Sequence, residues 1–209
     1  MKSLPVVILI SGRGSNMQAI VNAADPLVSV RAVISNRPDA KGLQFALTAG
    51  IPTTVVDHTQ FADRAAFDYV LQACIDKYKP GLVVLAGFMR VLTSSFVQHY
   101  HGRLFNIHPS LLPEFKGLRT HERVLAAGVK AHGASVHFVT EDLDSGPVVI
   151  QARIPVLPTD SVETLAARVL KEEHRIYPQA IHWFAQGRLQ LQERYVLLDG
   201  QPVTRYYGD

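Results

Sequence analysis

Val6-Val7-Ile8-Leu9-Ile10-Ser11-Gly12-Arg13-Gly14-Ser15-Asn16 passes from an unbroken apolar run into a glycine turn and then into polar residues. An apolar run without polar alternation predicts a strand covered on both faces, the habit of a central parallel strand. Two glycines allow a tight turn, and the helix expected to follow it, through about Ala24, would present its first amides to an anion. Strand, glycine turn and helix in this order open a doubly wound α/β fold. The chain is therefore expected to form a mostly parallel open sheet with helices on both faces and a Rossmann-like, mononucleotide-binding first half. A dinucleotide fingerprint would place Gly or Ala at position 17, where this chain has Met17. The next strand, Val30 to Ile34, runs into Ser35-Asn36 and offers no acid to a ribose. A single-phosphate site is the reading these residues favour, with a ligand-free glycine turn as the competing one.

Working outward, helices are expected from about Lys41 to Ala49 and from about Asp63 to Tyr78, with a short strand at Thr53 to Val56. The first of these helices stops at Gly50, a good terminator. Leu82 to Ala86 is a buried strand that opens into Gly87-Phe88-Met89-Arg90-Val91-Leu92. An apolar loop at a strand's carboxyl end either walls a pocket for a flat heteroaromatic ligand or packs under the next helix. Thr120 is expected to cap a helix to Ala127. Strands follow at Ala134 to Val139 and Val148 to Ile154, joined by the acidic turn Thr140-Glu141-Asp142-Leu143-Asp144-Ser145-Gly146-Pro147. Asp160 and Glu163 read as a capping box for a long helix to about Phe184, bent at Pro178. Its apolar stripe of Val162, Leu165, Val169, Ile176 and Ala180 includes Glu173, a carboxylate that must find partners. The tail reads as strands at Leu189 to Gln192 and Tyr195 to Leu198, with Asp199-Gly200 as a turn.

Leu104-Phe105-Asn106-Ile107-His108-Pro109-Ser110-Leu111-Leu112-Pro113 reads as a short strand ending at a proline. Side chains alternate along a strand, so Asn106 and His108 share a face. Ligands of open α/β sheets bind beyond the carboxyl ends of strands. An amide that can donate to a polarised carbonyl and an imidazole that can move protons are thus aimed at one place. A turn cap and a satisfied core histidine would explain the same two residues.

Composition narrows the function. The 209 residues suit a single domain over 1–209, with a phosphate-binding half at 1–100 and a second half at 101–209. Hydrophobic residues make up 47% and charged residues 19%, which are globular values. The net charge of +3 is too small to argue for nucleic acid but suits a phosphorylated or carboxylated ligand. The single cysteine, Cys74, excludes an internal disulfide and fits a reducing compartment. The apolar run near the N-terminus is too short to span a membrane and lacks a convincing cleavage site, so a cytoplasmic protein is expected. His99 with His101, or His132 with His137, could pair on a metal. None has the helical spacing with a glutamate of zinc proteases, and no metal is expected.

Gly12-Arg13-Gly14-Ser15-Asn16, Ala86-Gly87-Phe88-Met89-Arg90, Asn106 to Pro113, Ser135-Val136-His137 and Asp142 to Pro147 occur in the order and spacing of the phosphoribosylglycinamide formyltransferase family. The chain resembles that family over essentially its whole length. The resemblance implies the formyltransferase fold and transfer of a formyl group from the co-substrate 10-formyltetrahydrofolate to glycinamide ribonucleotide, without a metal. It implies that Asn106, His108 and Asp144 are catalytic. Gly14, Ser15 and Asn16 would hold the substrate phosphate and Glu173 the ribose hydroxyls. Met89, Arg90, Val91 and Leu92, with Thr140, Glu141, Asp142, Leu143 and Asp144, would surround the pterin beside Asn106. Arg64 would meet the folate's glutamate tail, although its position alone reads as surface. The family often has a polar residue near the phosphate where this chain has Leu170. Partners are expected to be small molecules, and the enzyme a monomer or homodimer. A 10-formyltetrahydrofolate hydrolase and a non-catalytic nucleotide-binding module are the alternatives.

Overall fold

The computed structural model describes residues 3–203. Its chain divides into two compact units, Met1–Asn106 and Ile107–Asp209. The fold class is α/β, with seven strands in one mostly parallel sheet of order β3-β2-β1-β4-β5-β6-β7.

The first unit contains β1 (Leu4–Ile10), α1 (Ser15–Asn22), β2 (Val28–Ser35), α2 (Gly42–Thr48), β3 (Thr53–Val55), α3 (Arg64–Asp76), β4 (Leu82–Leu85) and α4 (Ser94–His99). β5 (Leu104–His108) begins in it. Val6 to Ile10 are completely buried, as their unbroken apolar run predicts. β1 pairs in parallel with β2 on one side and β4 on the other. The order of connection therefore reverses beside β1, which opens a crevice beyond the carboxyl ends of β1 and β4. Met17 lies fully buried in the core. The close approach that a dinucleotide fingerprint gives to its third glycine is made here by Gly14 and Gly42. A Cβ on Gly14 would lie 3.0 Å from the Cα of Gly42. The amide of Gly42 donates to the carbonyl of Gly12 at 3.0 Å, tying α2 to the turn.

The second unit contains α5 (Thr120–Ala127), β6 (Ala131–Phe138), β7 (Val148–Pro155) and α6 (Val162–Ala185). It ends in β8 (Leu189–Leu191), β9 (Val196–Leu198) and β10 (Gln201–Pro202). β6 and β7 pair antiparallel, and α6 packs on both. Asp199 and Gly200 both take positive φ, as the two-residue hairpin between β9 and β10 requires.

Two expected caps are corrected. Ser161, rather than Asp160, caps α6 and forms a reciprocal box with Thr164 rather than Glu163. Asp160 instead takes the amide of Leu157 and the guanidinium of Arg168, and Glu163 accepts from the Ser161 hydroxyl. Thr120 is the first helical residue of α5 and is buried, while Arg119 stands at the cap in the left-handed region. α6 runs through Pro178 to Ala185. Among the described residues, no helix is long and apolar enough to cross a membrane.

Candidate active site

In the first unit, the turn after β1 lines a cavity of about 350 Å³. Gly14 sits before α1 at φ 72°, and no side chain caps the helix. A glycine turn leading into a helix N-terminus is an arrangement that binds phosphate. Gly14, Ser15 and Asn16 all line the cavity. Arg13, Arg37 and Arg90 bring positive charge to its wall. The Ser11 hydroxyl donates to Asn36 Oδ1 at 2.5 Å and accepts from the amide of Met89 at 2.7 Å. One serine therefore ties the ends of β1 and β2 to the loop after β4. Asn36, Arg37 and His58 extend the polar wall, and sequence reasoning missed them. Their signal is only that they follow strand ends.

The apolar loop after β4 divides in two. Leu92 is buried, whereas Met89 is 69% exposed and Val91 48% exposed. Apolar side chains left in water at a strand's carboxyl end favour a ligand-covered surface over simple core packing. Arg90 stacks its guanidinium on the ring of Phe67, 5.7 Å from the centroid. Arg64 is exposed on the first turn of α3, just after Asp63, whose side chain caps the helix.

β5 carries Asn106 half-buried and His108 buried, two residues apart and on one face. In the second unit, Asp144 comes back to His108. Its Oδ2 lies 3.3 Å from His108 Nδ1 and accepts the amide of Gly117 at 2.9 Å. His108 Nε2 donates to the carbonyl of Phe115 at 3.0 Å. A neutral imidazole carries one N–H and its protonated form two, and an acceptor stands opposite each nitrogen.

The three acids of the turn separate by burial. Glu141 and Asp142 are exposed, and Asp144 alone turns inward. Thr140 closes the turn by donating to the carbonyl of Asp142, and Leu143 is exposed. Asp144 takes φ 47°, a left-handed conformation that Asp tolerates. Gly146 makes this possible. A Cβ there would fall 1.8 Å from the carbonyl oxygen of Phe138, so only glycine lets the turn lie against the end of β6.

A second imidazole, His137, stands 3.8 Å from Asp144 Oδ1. Its Nδ1 donates to the carbonyl of Phe138, and burial pushes its pKa well below the ordinary histidine value. His137 is therefore neutral at neutral pH. The Phe115 carbonyl and the Gly117 amide are contacts that no sequence pattern announces, because they belong to the backbone.

Glu173 is buried on α6 within the apolar stripe, next to Val169 and Ile176 in the helical register. The structure thus brings His108 and Asp144 together in one unit and gathers Gly14, Ser15, Asn16, Met89 and Arg90 round one cavity in the other.

A glycine-turn cavity at the switch point of the first unit and a histidine–aspartate pair at the end of the fifth strand fit an α/β group-transfer enzyme. The formyl transferase family model matches residues 4–181. The chain is 53% identical to the phosphoribosylglycinamide formyltransferase of Escherichia coli, over 98% of this chain and 99% of that one. It superposes on the phosphoribosylglycinamide formyltransferase of Coxiella burnetii with a TM-score of 0.93 at 53% identity, covering 98% and 97% of the two chains. A glycinamide ribonucleotide transformylase from Symbiobacterium toebii is 44% identical with a TM-score of 0.91, covering 94% of each chain. The chain belongs to the phosphoribosylglycinamide formyltransferase family.

Proposed function

We propose that this chain transfers the formyl group of 10-formyltetrahydrofolate to the amine of glycinamide ribonucleotide in purine biosynthesis, in the cytoplasm. The observation that carries the roles is the placement of His108 between the Asp144 carboxylate and the Phe115 carbonyl.

The substrate amine attacks the formyl carbon, a new C–N bond forms and the carbonyl oxygen becomes an oxyanion. Asn106 donates to that oxygen, and protonated His108 does so once its Nε2–H exchanges the Phe115 carbonyl for the substrate; one such donor is worth on the order of 3 kcal/mol in comparable sites. The intermediate collapses by breaking the bond from the formyl carbon to the folate nitrogen. That nitrogen takes the proton of His108, and the proton shed by the new amide restores the imidazolium. Asp144 keeps the ring oriented through its contact at Nδ1. No step requires a metal.

Gly14, Ser15 and Asn16 hold the substrate phosphate through backbone amides, and Glu173 accepts from the ribose hydroxyls. Met89 to Leu92 and Thr140 to Asp144 surround the pterin, and Arg64 pairs with the glutamate tail of the folate. Holding both reactants beside one strand end supplies the remaining advantage through proximity.

The test is an absorbance assay of deformylated folate formation, run with and without glycinamide ribonucleotide. Turnover is expected only with the nucleotide, and treatment with EDTA should not lower it. His108→Ala is expected to lower turnover by about tenfold or more while substrate binding persists. Equal folate turnover without the nucleotide, accompanied by formate release, would mean a hydrolase. Binding without folate turnover would mean a nucleotide-binding module.

A further inference from the structure

We infer that Gln151 is a positioning residue for His108, acting through the turn at 110–115. Gln151 is a buried amide on β7, directly opposite Ser135 of β6. Its Nε2 donates to Ser135 Oγ at 2.8 Å and to the carbonyl of Leu112 at 2.9 Å. Ser135 Oγ in turn donates to the carbonyl of Ser110 at 2.6 Å and accepts the amide of Leu112 at 3.0 Å. A hydroxyl has one donor and two acceptor positions, and all three are used. Both N–H groups of the Gln151 amide are used as well.

Leu111, between these anchored residues, packs on the bare backbone of Gly133. A Cβ there would fall 2.8 Å from Leu111 Cδ2. Residues 110–112 are therefore laid across the β6–β7 ladder mostly through their own backbone groups. The turn then closes. The Ser110 amide donates to the carbonyl of His108 at 2.9 Å, and the Ser110 hydroxyl donates to the carbonyl of Glu114 at 2.6 Å. Next along the chain is Phe115, held at φ 52°, whose carbonyl accepts from His108 Nε2. A bulky residue in the left-handed region persists only where its surroundings fix it. The Gln151–Ser135 pair anchors the start of the turn that leads to it, and Arg123 stacks on the Phe115 ring at its end.

Asp144 holds one nitrogen of the His108 ring, and the Gln151-anchored turn presents a carbonyl to the other. Replacing Gln151 by an isostere without N–H groups leaves the Leu112 carbonyl buried without that donor. The turn must then shift, and the Phe115 carbonyl moves off Nε2.

This inference rests on the catalytic role proposed for His108. Gln151→Met keeps the volume and removes the amide, while Gln151→Glu puts acceptors where donors are needed. Both are expected to lower kcat by about tenfold, with KM for both substrates within about twofold of the wild-type value. The ring-nitrogen NMR signals of His108 should shift in both. Should neither Gln151 variant fold, Ser135→Ala removes the same anchor from the other strand and is read by the same criteria. A kcat within about twofold of wild type would overturn the inference, and so would a lower kcat with unchanged His108 signals. Wild-type turnover in His108→Ala overturns the role of His108 itself. Unchanged turnover in Gln151→Met beside an impaired His108→Ala overturns only the role of Gln151.

Discussion

His137 and His132 show what burial does to an imidazole. Both are almost fully buried in β6. Burial pushes the His132 pKa down to about 4, helped by the neighbouring His121 ring at 3.0 Å, and it lowers that of His137 as well. An imidazole in the unfolded chain takes its proton near pH 6.5. Between that pH and about 4 the unfolded chain binds more protons than the folded one, so stability is lost as the pH falls through this window. Urea unfolding at pH 7 and pH ~4.5 should therefore show a lower midpoint in acid. His132→Gln should shrink that difference, and an undiminished difference would show that His132 does not carry it. Alternation along β6 puts Ser135 and His137 on one face but says nothing of the imidazole's ionisation, because burial is a property of what packs over a strand.

The acidic turn between β6 and β7 illustrates how one element decides a site. Three carboxylates lie within four positions, and pattern alone does not choose among a solvated turn, a cation site and a partner for His108. The choice is made by Gly146, whose missing Cβ lets the turn approach the Phe138 carbonyl and swing Asp144 inward. Gly146→Ala is expected to cost about 1–3 kcal/mol of stability, as overpacking does, and to lower kcat by displacing Asp144. Thermal unfolding and steady-state kinetics on the same variant check both parts. Full activity in that variant would show that the turn tolerates the displacement. The long helix was legible in its periodicity and its buried Glu173, but its cap was misplaced by one residue. Asp160, Ser161 and Glu163 all suit a helix start, and only the backbone shows which of them accepts the orphan amide.

Charge acts over the whole molecule. A net charge of +3 and three arginines round the first-unit cavity should draw a phosphate-bearing substrate from solution. Raising the salt concentration from about 0.02 M to about 0.5 M shortens the screening length to a few ångströms. The KM for glycinamide ribonucleotide is expected to rise severalfold over that range, with kcat little changed. A salt-independent KM would mean that short-range contacts alone secure the phosphate.

Local chain properties were enough for the sheet's parallel first half, the glycine turn, the placement of Asn106 and His108 on one face and the family. Strand burial, turn stereochemistry and side-chain alternation act between neighbours and so are written in adjacent residues. The pairing of Asp144 with His108, the neutrality of His137, the Phe115 carbonyl at Nε2 and the Gln151–Ser135 anchor waited for the folded chain. Each joins groups far apart in sequence or depends on backbone atoms common to every residue, and desolvation exists only once the core has closed over them.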